Sequence, residues 1–523
     1  MMGDGVKMGA KFSRCLMVFL CWVLISPGRN HLTGAVAQEP PQQTFLRISP
    51  ATKLTDAPSV IQSSICPAQL NAAITAVINR PQLRRARWGI LIDTQSADRQ
   101  PLFAYEAERY FLPASTAKLL TTAAALHRLG ATFRIRTSVY QVKPDAQSQP
   151  QTTILRVVGR GDPSFRQTHL QTLAQQLRQH GIRRIDRLIV DDQYFRGTLV
   201  HPTWAWEDVQ ADVGVPVNAL ILNQNAIGLQ LLPRLLGQPL QIQWDDPRSR
   251  ATESIDNLTQ TVASNQPEFI EIHRHWGRSR VQIRGQLRVG SAPESVGIPY
   301  LDPAQQFLDQ FQQALEQEQM QVVHTQVADR PAPAGELEMA AIESPPLTTW
   351  LAEINQESNN LYADVLLKTL GIRQGQPDHS STWEAGITAL KESLTALGVD
   401  PNSYQLVDGS GLSRHNLVSP QALVQTLRGM TRSPHAQVYR ASLATAGQSG
   451  TLKSRFQNTP IQGVLFAKTG TLKGTATLAG YLTPPDFEPL VLSVMINNSD
   501  QPAGILRAAI DEIVLLLTHL QRC

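Results

Sequence analysis

At 523 residues the chain is long enough for roughly two to four domains. Its 42% hydrophobic and 17% charged residues exclude a disordered chain and a many-pass membrane protein. The formal charge of +4 comes with no Lys/Arg stripe interleaved with aromatics, so nucleic-acid binding has no support.

A weakly basic start (Lys7, Lys11, Arg14) precedes the apolar run Cys15 to Ile25, and Ala35-Val36-Ala37 stands before Gln38. This is the pattern of a secretory signal peptide, with cleavage expected after Ala37. A retained N-terminal anchor is the alternative, because the gap between the run and the A-x-A site is long. Removing residues 1–37 deletes four cations and one anion, which brings the charge from +4 to +1, and takes away Cys15 and Cys21. Residues 38–63 are rich in Gln, Pro, Ser and Thr and read as a flexible tether.

Order begins near Cys66, where Pro67 opens a helix with apolar positions Leu70, Ile74, Val77 and Ile78. Arg87 to Asp93 and Leu102 to Tyr105 read as paired strands around a turn. From Ser115 the spacing of Leu119, Leu120, Ala123, Leu126 and Leu129 predicts a helix that Gly130 ends. Residues 133–333 change texture to short alternating strands with recurring Pro and Gly. They read as a strand-rich insertion of two subdomains with few, short helices, ending at the linker Pro331 to Gly335. Helical patterns return from Leu347 to Leu370 and from Thr382 to Leu397. Lys468-Thr469-Gly470 sits on an extended segment before strands Ala476 to Leu482 and Leu490 to Ile496. The chain closes on a helix carrying Ile505, Leu506, Ile510, Ile513, Val514 and Leu517. The outer parts, 64–132 and 334–523, thus make one split α/β (α+β) domain, an antiparallel sheet flanked by helices. If the first and last helices pack antiparallel, a Cys66–Cys523 disulfide can join the ends of the mature chain; two unpaired thiols is the other reading.

Three short words lie in order: Ser115-Thr116-Ala117-Lys118, Ser358-Asn359-Asn360 and Lys468-Thr469-Gly470. Each alone is common, as a helix surface, a turn or a strand end. Together they are the S-x-x-K, S-x-N, K-T-G set of enzymes that open an amide through a serine ester. Three residues apart on a helix, Ser115 and Lys118 share a face, which makes Ser115 the candidate nucleophile and Lys118 its base. Lys118 must be neutral for part of the cycle, which burial and a nearby cation such as Lys468 would favour. Ser358 can relay a proton to the leaving amine while the Asn360 amide holds a substrate carbonyl. Lys468 and Thr469 suit a free carboxylate. Gly470 leaves room for substrate along the strand, and the N–H groups of Ser115 and Thr471 can form an oxyanion site. No metal or cofactor is expected, since no H-E-x-x-H or Cys/His cluster occurs.

With Phe111 to Leu119, Gly159-Arg160-Gly161-Asp162-Pro163-Ser164, Ser358 to Ala363, Asp408-Gly409-Ser410-Gly411-Leu412-Ser413-Arg414 and Lys468 to Leu472, the mature chain resembles the D-alanyl-D-alanine carboxypeptidase/endopeptidases, the class C low-molecular-mass penicillin-binding proteins. The resemblance implies a penicillin-binding-protein/β-lactamase-like transpeptidase domain interrupted by extra strand-rich domains. It also implies a periplasmic enzyme that cleaves D-Ala-D-Ala in peptidoglycan stem peptides, often with D-Ala-diamino-acid cross-links, and is acylated by β-lactams. Asp208 resembles an inserted-domain carboxylate facing the free amine of the stem's diamino acid, and Arg414 a basic residue near the same pocket. Their other readings are a strand-end capping acid and a surface arginine. Lys473 departs from relatives that carry a neutral amide there. A β-lactamase and a non-catalytic wall-binding protein on the same fold are the competing readings. A homodimer and a loose hold on a membrane surface stay open, though Gln521-Arg522-Cys523 gives the last helix too little cationic face for an amphipathic anchor.

Overall fold

The structure, a computed structural model, describes residues 64–96, 101–142, 152–247, 254–275, 280–330, 336–373 and 381–523. The expected signal peptide, the tether and the Pro331 to Gly335 linker lie outside the described residues.

A six-stranded sheet runs in the order Ala444–Thr445, Leu465–Leu472, Thr475–Leu482, Leu490–Asn497, Arg87–Thr94, Phe103–Tyr105. Every neighbouring pair is antiparallel. Its strands are buried on both faces because side chains alternate between two helical layers. Ile90 and Ile92 join one apolar cluster with Leu70, Ile74, Ile510 and Val514 of the first and last helices. Leu91, Val491 and Met495 face the opposite cluster, built on helices Lys118–Leu129, Asn360–Arg373, Thr382–Ala396 and Pro420–Thr431.

Helices Pro67–Ile78 and Ala503–Leu516 run antiparallel. Arg80 binds Glu512 (Nη1 to Oε2 2.7 Å), and at the other end Cys66 and Cys523 form a disulfide with Cα atoms 5.7 Å apart. Ile65 N–H donates to the His519 carbonyl (2.6 Å), which ties the first described residues to the last.

The insertion differs from the sequence reading in two respects. It holds two long helices, Gln167–Gln179 and Pro303–Gln317, of 13 and 15 residues, which pack on a five-stranded mixed sheet. Their Gln-rich exposed faces dilute the apolar signal, so only Leu170, Leu173 and Leu177 and the Phe307, Phe311 and Leu315 set betray them. The insertion also extends past 333. Strand Leu337–Glu343, on the far side of the Pro-Ala linker, pairs antiparallel with Arg136–Val142 and completes that sheet. Two three-stranded sheets share a separate small core around Leu229, Leu231, Ile283 and Ile298.

A third difference bears on the site. The helical pattern from Leu347 to Leu370 is two helices, Leu347–Asn355 and Asn360–Arg373, and the break between them is the second motif. Ser358 has φ +65°, which no α-helix accommodates, and Asn359 caps the second helix by accepting from the Tyr362 N–H (3.3 Å).

Candidate active site

Ser115 lies in a 3-10 turn, Ala114–Ala117, that feeds directly into helix Lys118–Leu129. The turn is held from several sides. Leu112 N–H donates to Asn497 Oδ1 (2.6 Å), Phe111 exchanges backbone hydrogen bonds with Val418, and Thr477 Oγ1 donates to the Pro113 carbonyl (2.9 Å). Ala114 sits at φ +47°, and Gly411 backs onto it so closely that a Cβ there would lie 1.9 Å from the Ala114 carbonyl oxygen. This tension leaves Ser115 partly exposed at a helix start.

Lys118 is fully buried, and its Nζ donates to Ser115 Oγ (3.0 Å), Asn360 Oδ1 (2.7 Å) and the Ser410 carbonyl (2.7 Å). Lys468, also fully buried, donates to Ser358 Oγ (2.9 Å) and to the Thr469 carbonyl (3.0 Å). Asn360 donates through Nδ2 to the Val213 carbonyl of the insertion (2.8 Å), so its amide is engaged at both ends. Thr469 Oγ1 bonds Thr451 Oγ1 (2.8 Å). Ser115, Lys118, Ser358, Asn360 and Lys468 therefore meet in one place, although 353 positions separate the first from the last.

Gly470 has a different steric reason from the one read in the sequence. A Cβ there would meet Thr477 Oγ1 at 2.3 Å, the Pro113 oxygen at 2.8 Å and Ser115 N at 2.9 Å. The missing side chain admits the Ser115 turn. Thr471 follows on the exposed end of the strand. Beyond Ala467 no named strand pairs with the outer edge of this strand among the described residues.

The model of the D-Ala-D-Ala carboxypeptidase 3 (S13) family matches residues 70–520. The chain belongs to that family. It is 30% identical over 472 residues to a D-alanyl-D-alanine carboxypeptidase of Actinomadura sp. (strain R39), covering 87% of this chain and 86% of the relative. It is 26% identical to the penicillin-sensitive carboxypeptidase A of Dictyostelium discoideum, over 83% and 87% of the two chains. The fold matches the crystal structure of penicillin binding protein 4 (dacB) from Haemophilus influenzae with a TM-score of 0.71 at 23% identity, over 85% of this chain and 98% of that one. The protein is accordingly a serine-type D-Ala-D-Ala carboxypeptidase.

In this S13 enzyme burial lowers the Lys118 ammonium to about 8, against the opposing pull of Asp364 and then Asp408. Burial first, then Lys118, pushes Lys468 well below the usual lysine value. Burial is thus the main cause of the lowering at Lys118, and the two buried lysines act on one another as like charges. Asp364 was not singled out in the sequence, yet it is buried one turn after Asn360, and its Oδ1 accepts from the N–H groups of Gly409 (2.7 Å) and Ser410 (3.1 Å). Burial, then Asp408, raises its carboxyl to about 8. Asp408 in turn accepts from the N–H groups of Gly411 (2.8 Å) and Ser413 (2.7 Å) and from Trp204 Nε1 (2.9 Å). These two acids shape the loop whose Ser410 carbonyl holds Lys118. The spacing Asn360, Asp364 was the signal available for the first of them.

Asp208, on a short turn of the insertion, is ion-paired with Arg414. Burial raises its carboxyl and Arg414 opposes the rise. A cavity of about 860 Å³ opens beside Ser358 and Asn360, with Val213, Asn223 and Tyr300 of the insertion among its walls. No group of three or more metal-ligating side chains occurs among the described residues, and none of their helices is long and apolar enough to cross a membrane.

Proposed function

We propose that this carboxypeptidase works through a Ser115 acyl-enzyme. The observation that carries the reading is the hydrogen-bond chain in which Lys118 Nζ reaches both Ser115 and Asn360 while Lys468 Nζ reaches Ser358. Ser115 Oγ attacks the carbonyl of the penultimate D-Ala and passes its proton to neutral Lys118, already 3.0 Å away. The oxyanion settles between the N–H groups of Ser115 and Thr471. When the amide breaks, the leaving amine takes a proton through Ser358, next to Lys468. Water then repeats the sequence on the ester and restores Ser115. The substrate's terminal carboxylate lies at Thr469 and Lys468, where its charge offsets the burial that disfavours the ammonium.

The substrate class is the peptidoglycan stem peptide, and D-Ala-diamino-acid cross-links are cut as well. The unpaired edge from Lys468 to Leu472 admits an extended peptide, and Asp208 with Arg414 faces its diamino-acid amine. β-Lactams acylate the same serine. Export is supported by the N-terminal pattern and by the Cys66–Cys523 disulfide, a bond suited to an oxidising compartment.

Peptide mapping after exposure to benzylpenicillin tests the acyl-enzyme. One intact penicillin on the Ser115 peptide, absent in Ser115→Ala, is expected. An adduct on another residue, or none, sinks the reading.

A further inference from the structure

Lys368 is a buried lysine that the chemistry above does not use. It lies on helix Asn360–Arg373, four residues beyond Asp364 and eight beyond Asn360, so the three side chains share one face. Asn360 holds Lys118, Asp364 holds the Gly409–Ser410 loop, and Lys368 points into the insertion. Its Nζ donates to the carbonyls of Val217 (2.7 Å) and Thr198 (3.3 Å), and it lies 4.5 Å from the Trp383 ring centroid and 5.4 Å from that of Phe195. Trp383 Nε1 donates to the same Thr198 carbonyl (3.0 Å). Thr198 and Val217 are the two ends of one loop, closed by a Val217 N–H bond to the Leu199 carbonyl (2.8 Å). Within that loop stand Trp204, which bonds Asp408, Asp208, which pairs with Arg414, and Val213, which receives the Asn360 amide.

We propose that Lys368 is a positioning residue for substrate selection: it clamps the base of loop 198–217 to the helix of the second motif and so sets Asp208 against the catalytic centre. Burying an ammonium is costly, and two carbonyls and two aromatic faces compensate here. Burial lowers Lys368 to about 7, and Asp192 and then Asp364 oppose the fall. A helix–loop contact needed only for packing would be met by a leucine or methionine. An amine that donates to both ends of one loop fixes the loop's place as well as its closure. The consequence for peptide selection rests on the reading of Asp208 given above.

The test uses the mature full-length protein, with Lys368→Met to remove the donor at similar length and Lys368→Gln to keep a single short donor. Three quantities are measured: acylation by benzylpenicillin, kcat/KM on a D-Ala-D-Ala peptide with a free diamino-acid amine, and kcat/KM on its N-acetylated form. Amide hydrogen exchange across residues 198–217 is followed in parallel. Losing this buried donor is expected to lower kcat/KM on the free-amine peptide about tenfold or more in Lys368→Met, with a smaller loss in Lys368→Gln. Penicillin acylation should fall by a smaller factor than turnover of the free-amine peptide, since the loop also holds Asn360 through Val213 but the antibiotic carries no diamino-acid arm. Exchange in 198–217 should rise while that of the Ser115 turn does not. Unchanged exchange in the loop, or equal losses on penicillin and peptide, would overturn the clamp. If the unaltered enzyme does not distinguish the free amine from the acetylated one, the Asp208 reading fails, and hydrogen exchange alone decides whether Lys368 fastens the loop.

Discussion

Gly470→Ala converts the steric reading of the third motif into a number. The new Cβ would stand 2.9 Å from Ser115 N and 2.8 Å from the Pro113 oxygen, where ordinary contact begins near 3.4 Å. The turn or the strand must therefore yield by about 0.5–0.6 Å. Neither yields easily, because Thr477 and Asn497 bond the turn from neighbouring strands and Gly470 pairs with Thr477 in mid-sheet. Overpacking of this kind costs about 1–3 kcal/mol of stability. Since a 1 Å misplacement of reacting groups is worth about a hundredfold, half of that gives roughly a tenfold loss in the acylation rate. Stopped-flow acylation by a chromogenic cephalosporin measures the rate, and thermal unfolding measures the stability. Adding Thr477→Ala removes the 2.3 Å clash but leaves both backbone contacts, so it should not restore the rate. Full-rate acylation by Gly470→Ala, or full rescue by the second substitution, would refute the argument that the glycine makes room for the nucleophile's turn.

Acylation should rise with pH through about 8, because burial lowers Lys118 to about that value and only its neutral form accepts the serine proton. Asp364→Asn removes a carboxylate that opposes this lowering, so the rising limb should move to lower pH; a pH–rate profile in which it stays put or moves up contradicts the coupling. Cys523→Ser opens a closure spanning 457 positions, for which the chain-entropy model gives a loss on the order of 6 kcal/mol. Denaturant unfolding should therefore show a large fall in midpoint with acylation intact below the transition, and an unchanged midpoint would deny the disulfide a structural role. Asp208→Asn should lower kcat/KM for the free-amine peptide and leave its acetylated form little changed, and equal effects on both would remove the amine contact.

The three catalytic words were legible in the sequence because each is local: S-x-x-K needs only a turn entering a helix, and K-T-G only a strand. What joins them was not, since Lys118 meets Asn360 and Ser410 across 242 and 292 positions. Asp364 and Lys368 were hidden in an apolar helix, where a buried ion reads like any helical polar residue until its partners are seen. Periodicity ran through Ser358 because the apolar spacing continues across it, Leu351 and Ile354 before and Leu361 and Val365 after, and one positive φ is invisible to a window of residues. The limit at 333 failed for a related reason. A Pro-Ala run in the sequence does not say to which sheet the next strand belongs, and Leu337–Glu343 returns to the insertion.

The central claim is a Ser115-dependent peptidase, and mass spectrometry of purified muropeptides tests it most directly. Monomeric pentapeptides and cross-linked dimers are incubated with the mature protein and with Ser115→Ala. Loss of terminal D-Ala and splitting of dimers are expected with the first and neither with the second. Intact pentapeptides after incubation with the unaltered protein, or equal turnover by Ser115→Ala, would contradict it.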